Sequence, residues 1–365
     1  MAGWSGGRSI RGYQLDLFNV GPGTLMAERF SPLLRRTGWI GCLLGATATI
    51  YFVFGLAGYV RSSALNLGVS AVLFLSAGFF IANFFAIPKR TNWVGCVIWV
   101  AILCLIITEG ILGLLPPTSR DELTHHLAIP KLYAKAGRII EVPMAPYAYY
   151  PMLLDMLYVP WVYWGYDFVP KLIHGLFAYL TGLLLFAYLG RRMNAVYGLL
   201  GFFIYLSTPV IARLSHWGYI DLGITFYTTA SLLFLLRWRE ERRTISWLCL
   251  AALSLGFALA TKPNGLVAAL LLSFIFLLVI VKPPPRRPTE IGRELFLFGG
   301  LTLLPFLPWL LKNWFQTGNP FYPLLGSWFS STGAGIGPGV SFGGLAILEK
   351  RALLYGENSW EILGL

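Results

Sequence analysis

Charge is scarce in this chain of 365 residues. Only 12% of them are Asp, Glu, Lys or Arg, about half of the roughly 25% found in an ordinary soluble domain. A chain with so little charge and 16% aromatic residues is neither disordered nor a charged coiled coil. Cysteine is scarce as well. Cys42, Cys96, Cys104 and Cys249 all lie inside apolar runs and form no CxxC pair, which excludes a disulfide scaffold and a thiolate metal centre. Acids are the rarer sign, 16 against 28 bases, for a net charge of +12. No stretch mixes basic and aromatic residues in a polar, strand-like setting, so no nucleic-acid partner is expected.

Long apolar runs are what the chain has in quantity, and hydrophobic residues make up 56% of it. The runs come in blocks of about 20, the length that crosses a bilayer. Nine are expected to span: 38–60, 64–87, 93–115, 168–190, 195–213, 219–237, 245–260, 265–281 and 294–311. The expected fold class is an all-α polytopic membrane protein. The segment 151–165 is short, aromatic and interrupted by Asp155 and Pro160, and reads as re-entrant or interfacial. The first apolar block is too long and too far into the chain for a cleaved signal peptide. With the N-terminus in the cytoplasm, 17 of the 28 basic residues fall on the inner side, including Arg35-Arg36 and Arg191-Arg192. The basic excess is therefore the bias of inner membrane loops. The expected location is a bacterial inner or plasma membrane.

In this orientation the outer loop 116–150 stands apart. It reads PPTSRDELTHHLAIPKLYAKAGRIIEVPMAPYAYY, and the spacing of Leu123, Leu127, Leu132 and Tyr133 suggests an amphipathic helix on the membrane face, broken at Pro130. On a regular helix Asp121 would meet His125, and Glu122 would meet His126, four residues on. A carboxylate hydrogen-bonded to His beside apolar surface has a tunable proton affinity and suits a general base; the same set can also hold a divalent metal. Asp221 opens a span at the outer side, where an acid is either a helix-dipole partner or functional. Lys262, in Thr-Lys-Pro-Asn-Gly, either snorkels to the interface or holds a phosphate as a point charge. Asp155 is placed to pair with Lys171 or to face a cavity. His174, inside a span, reads as a satisfied core residue.

These pieces resemble a family. Asp121-Glu122-Leu123 with His126-Leu127, Pro130-Lys131, Tyr133 and Gly137 begin the match. Tyr149-Tyr150-Pro151, Asp155, Tyr219-Ile220-Asp221, Lys262, and Lys312-Asn313 with Thr317-Gly318-Asn319-Pro320 continue it. The order is similar to that of the GT-C superfamily of membrane glycosyltransferases, family 39-like members related to protein O-mannosyltransferases and aminoarabinose transferases. The resemblance covers about 93–325. It implies a GT-C-like helical bundle and a polyprenyl-phosphate sugar donor. It further implies a glycan, lipid or protein acceptor, membrane lipid around the bundle, and no certain cofactor. It places the catalytic acid on Asp121 with Glu122 as partner. His126, Lys131, Arg138, Asp221 and Lys262 would bind substrate, Lys262 at the phosphate. His125 departs from the Tyr that relatives often carry.

Three regions follow: a cytoplasmic N-terminus with a two-helix extension over 1–92, a catalytic core over 93–325, and a Gly- and Ser-rich outer tail over 326–365. Relatives continue with more helices, so the chain reads as a shortened member. A transporter or flippase is the alternative, expected to carry polar groups at the bilayer midplane; a non-catalytic assembly subunit is another.

Overall fold

The structure is a computed structural model, and it describes residues 24–143, 145–241, 244–281, 287–322, 325 and 329. The expected tail 326–365 lies outside these residues, apart from 329. The fold is all helical: α1 (Thr24–Leu56), α2 (Ser63–Phe85), α3 (Trp93–Gly113), α4 (Ala128–Ala136), α5 (Leu153–Tyr163), α6 (Val169–Arg192) and α7 (Ala195–Ser207) come first. α8 (Pro209–Leu214), α9 (Asp221–Glu240), α10 (Ile245–Thr261), α11 (Gly265–Val281), α12 (Pro288–Leu303) and α13 (Leu307–Thr317) complete it. No strand occurs among the described residues.

Of the nine expected spans, four helices are individually long and apolar enough to cross a membrane: 30–56 within α1, then α2, α3 and α6. α12 and α13 make a fifth if they count as one span bent by 53°. Pro305 and Pro308 flank that bend, where the missing N–H groups and ring clashes break the ladder. α7, α10 and α11 are apolar but shorter. The apolar run at 195–213 is split at Pro209, where α7 gives way to the short α8. α5 has 11 residues, about 16 Å at 1.5 Å per residue, too short to cross. Nine of its side chains are buried within the bundle.

Local chemistry sets the helix ends. Asn194 caps α7, its side chain accepting from the Val196 and Tyr197 amides at 2.9 and 3.2 Å. Asn92 does the same for α3 through Gly95 at 3.1 Å. α6 is the spine, with α1, α3, α5, α7 and α9 packed around it. The α6–α7 contact brings backbone against backbone, as small residues allow in membranes. A Cβ added at Gly198 would stand 2.6 Å from the Phe186 carbonyl oxygen.

The charged groups gather at the two ends. At one, the fully buried Arg237 bonds Glu240 at 2.8 Å and pairs with Glu241, while Arg191 reaches Glu240 at 2.9 Å. At the other lie residues 115–150, 214–222, 261–265 and 312–322.

Gly198→Ala should therefore lower thermal stability in detergent by about 1–3 kcal/mol, the range for overpacking. Gly78→Ala, with nothing within 4 Å of the added carbon, should leave the melting temperature unchanged or slightly raised. Equal melting of Gly198→Ala and wild type would refute the close α6–α7 contact.

Candidate active site

The segment after α3 winds as one π-helical turn over Glu122–His126, closed by the Leu127 amide donating to the Glu122 carbonyl at 2.9 Å. α4 then follows, and Pro130 sits in its first turn, where a missing N–H is harmless. Gly137, with φ of 74°, ends α4 in the left-handed region. α4 is amphipathic, and its apolar face packs on α5 rather than being free for a membrane surface; of the four expected residues Leu127 and Tyr133 are buried there. The wider turn turns Leu123 and Leu132 outward and buries His126, Ile129, Pro130, Tyr133 and Ala134.

The π turn also undoes the expected acid–histidine pairs. Glu122 is fully buried and does not meet His126. Its Oε2 accepts from the Thr118 and Ser119 amides at 3.1 and 3.3 Å, and its Oε1 from the Gly218 amide at 2.8 Å. His126 instead puts Nδ1 2.9 Å from Oδ1 of Asp155 in α5. Asp155 thus pairs with His126 rather than Lys171, whose ammonium donates to the carbonyls of Leu115 and Pro116. Burial pushes the Asp155 carboxyl up from its usual range, and the neighbouring His126 opposes that.

Asp121 stays exposed at the start of the turn. His125 Nδ1 is 3.1 Å from the Thr124 hydroxyl, and its ring stacks on Tyr147 at 4.6 Å. Burial is the main reason the His125 imidazole is lowered to about 4. Its neighbours also act on it: His126 and Lys262 push it down, and Asp121 and Asp221 push it up. Asp121, Asp221, Lys262 and His126 therefore lie within electrostatic reach of His125, and these five residues make up the candidate cluster. Within it the Lys262 ammonium donates to Asp221 Oδ1 at 2.7 Å, both side chains about one third exposed. Asp221 opens α9, and Lys262 follows α10 in extended backbone before Pro263.

Lys131 and Arg138 are not drawn in. Lys131 bonds Asp167 at 2.6 Å on the exposed side of α4, and Arg138 is exposed just past Gly137. His174 is a core residue, as expected. Its Nδ1–H faces the Leu214 and Trp217 carbonyls at 3.0 and 2.8 Å, and Nε2 accepts from the Leu222 amide at 2.8 Å, which fastens the loop ahead of Asp221.

Other residues of the resemblance come without an assigned role, and the structure supplies their partners. Tyr158 donates to the Tyr219 carbonyl, and the Ser119 and Tyr219 hydroxyls share a hydrogen bond. From α13, Lys312 donates to the Ala148 carbonyl at 2.6 Å and Asn313 to the Tyr149 carbonyl at 2.9 Å. These two bonds strap down the segment that carries Tyr147. A cavity of about 90 Å³ lies between the α10–α11 turn and α13, lined by Tyr150, Pro263, Trp309, Asn313 and Tyr322 among others. No group of three or more His, Cys, Asp or Glu side chains that could hold a metal ion occurs among the described residues.

An acid, a histidine–aspartate pair and a lysine thus gather at one end of a helical membrane bundle. The protein's class is that of the membrane glycosyltransferases. Residues 119–318, more than half of the chain, match the family of dolichyl-phosphate-mannose-protein mannosyltransferases, and the chain belongs to that family. No curated protein and no solved structure matches it.

Glu122→Ala would leave three backbone amides without their acceptor. At 1–3 kcal/mol for each buried group left unpaired, the loss should be about 3 kcal/mol or more, with faster proteolysis in 116–122 and 214–220. Glu122→Gln, which keeps one acceptor oxygen, should fall between. Thermal unfolding in detergent reads both, and a wild-type midpoint for the Ala variant would contradict the clamp.

Proposed function

We propose that the protein transfers a sugar from a polyprenyl-phosphate carrier to an acceptor hydroxyl, on the outer face of the membrane and with inversion at the anomeric carbon. The observation that carries this reading is the Lys262–Asp221 pair beside Asp121 and His125, inside the region matched by the mannosyltransferase family.

The reaction asks for three things. The acceptor oxygen must lose its proton as it bonds to the anomeric carbon. The bond from that carbon to the phosphate oxygen must break with its electron pair going to phosphate. The charge on the departing lipid phosphate must be held. Asp121, exposed at the mouth of the cluster, takes the acceptor proton. Attack opposite the leaving group gives inversion, by the geometry that inverting glycosidases use. Lys262 holds the phosphate. In the free protein its ammonium rests on Asp221 at a half-open site, where exchange of one anion for another is inexpensive. Asp221 then keeps Lys262 aimed, and His126 orients the reacting hydroxyl. Lys131 and Arg138 lie farther out on the loop and would act as a basic rim for the approaching phosphate. Glu122 serves as the partner of Asp121 by holding the turn from which Asp121 projects.

Purified protein in nanodiscs, given a panel of polyprenyl-phosphate sugars, should release lipid phosphate. Asp121→Asn should abolish the release. Lys262→Ala should lower turnover roughly 10²–10³-fold, the effect of losing one preorganised charge-stabilising group, at an unchanged melting temperature. Wild-type turnover in Lys262→Ala would remove it from the phosphate site, and no release with any donor from folded protein would overturn the transferase reading.

A further inference from the structure

Asp155 is an unusual residue to find where it is. Its side chain is completely buried in α5, and its Oδ2 has no hydrogen-bond partner. The side chain it faces is the His126 imidazole, Nδ1 to Oδ1 at 2.9 Å. A carboxylate sunk in a helical core with a single side-chain partner is expensive, several kcal/mol before compensation, and an apolar residue would pack there at lower cost. What the carboxylate supplies that a leucine does not is a fixed direction for the imidazole.

The two nitrogens of His126 are unequally employed. Nδ1 is taken up by Asp155, whereas Nε2 makes no hydrogen bond among the described residues. An ionised carboxylate only accepts: with Asp155 in that form the proton of the shared bond sits on Nδ1, and the ring, when uncharged, offers a bare lone pair at Nε2. The ring itself is held in the cluster, 4.1 Å from His125 and 5.6 Å from Tyr219, centroid to centroid. We infer that Asp155 is a positioning residue of the site, fixing His126 so that Nε2 accepts a hydrogen bond from a hydroxyl of the substrate. An acceptor nitrogen selects a ligand that brings a donor. A phosphate diester at neutral pH brings none, so this subsite belongs to a hydroxyl of the sugar or of the acceptor, not to the lipid phosphate. The assignment rests on the transferase reading for the identity of that hydroxyl, but not for the state of the ring.

The chain holds only four histidines, so 15N-histidine labelling of the full protein in nanodiscs gives a spectrum simple enough to assign, His126 being the signal lost in His126→Gln. Solid-state 15N NMR near neutral pH, without any sugar donor, should show His126 protonated at Nδ1. In Asp155→Asn the amide can present its NH2 to Nδ1, and part of the population should move to the Nε2-protonated form. Binding separates positioning from mere support of the fold. Asp155→Asn should bind bare polyprenyl phosphate like wild type. It should lose about tenfold in affinity, the worth of one hydrogen bond, for either the sugar-bearing donor or the acceptor; the ligand that weakens identifies the hydroxyl. An Nε2-protonated His126 in the wild-type protein overturns the inference, and this result needs no variant to fold. Equal weakening toward all three ligands, or none toward any, overturns it too. Wild-type protein that shows the Nδ1 form but transfers no sugar counts against the transferase reading alone.

Discussion

Three backbone amides, from Thr118, Ser119 and Gly218, converge on the Glu122 carboxylate, and the loop-rich end of the bundle is arranged around that convergence. A fully buried charge is tolerable only when hydrogen bonds replace its water, and here three do. The bonds tie the chain just after α3 to the chain just before α9, segments 96 residues apart. With Glu122 turned inward, the following turn accommodates one extra residue per hydrogen-bonded ring. Asp121 is left facing outward and His126 inward toward Asp155. π turns recur at functional sites for this reason: they redirect side chains that a regular helix would align.

The bilayer supplies the second constraint. Without water in its core, backbone polar groups close within helices and charge moves to the ends. The Arg237, Glu240, Glu241 and Arg191 network lies at one end and the candidate site at the other. α6 joins them, and near the site end its His174 uses both ring nitrogens on the loop that leads to Asp221. Rigidity at the site therefore comes from elements that carry none of its chemistry. α13 adds to it by holding the Ala148 and Tyr149 carbonyls, which fixes Tyr147 against His125.

A transfer from a lipid carrier suits this layout. Under the proposed reaction the carrier's chain would stay in the bilayer and only its phosphate and sugar would reach the end of the bundle, where the acid, the imidazoles and the lysine are collected. The Lys262–Asp221 pair, about one third exposed, is of the kind that contributes little stability and opens readily, as the proposed exchange of Asp221 for a phosphate requires.

Much of the fold was legible without coordinates. Apolar blocks about as long as a bilayer is thick announce helices, whatever packs on them. The loop at 116–150 declared itself by holding acids, bases and two histidines between apolar neighbours. Asp121, Asp221 and Lys262 stood out as candidates because an ionisable group at a membrane edge is conspicuous. The partners were not readable. Spacing by four predicted Glu122 with His126, but the choice between an α and a π turn depends on where Glu122 finds amides, and one of them comes from Gly218. Asp155 meets His126 instead of Lys171 because α5 packs against α4 inside the bundle, a contact that no local pattern encodes. The sequence by itself determined that the chain is a helical membrane protein with many of its ionisable residues in the loops between apolar runs, since hydropathy and charge are properties of single residues and their neighbours. Which acid serves the histidine, which one clamps the loop and which one faces solvent was decided only by the tertiary structure. Hydrogen-bond partners are set by distances between segments far apart in the chain.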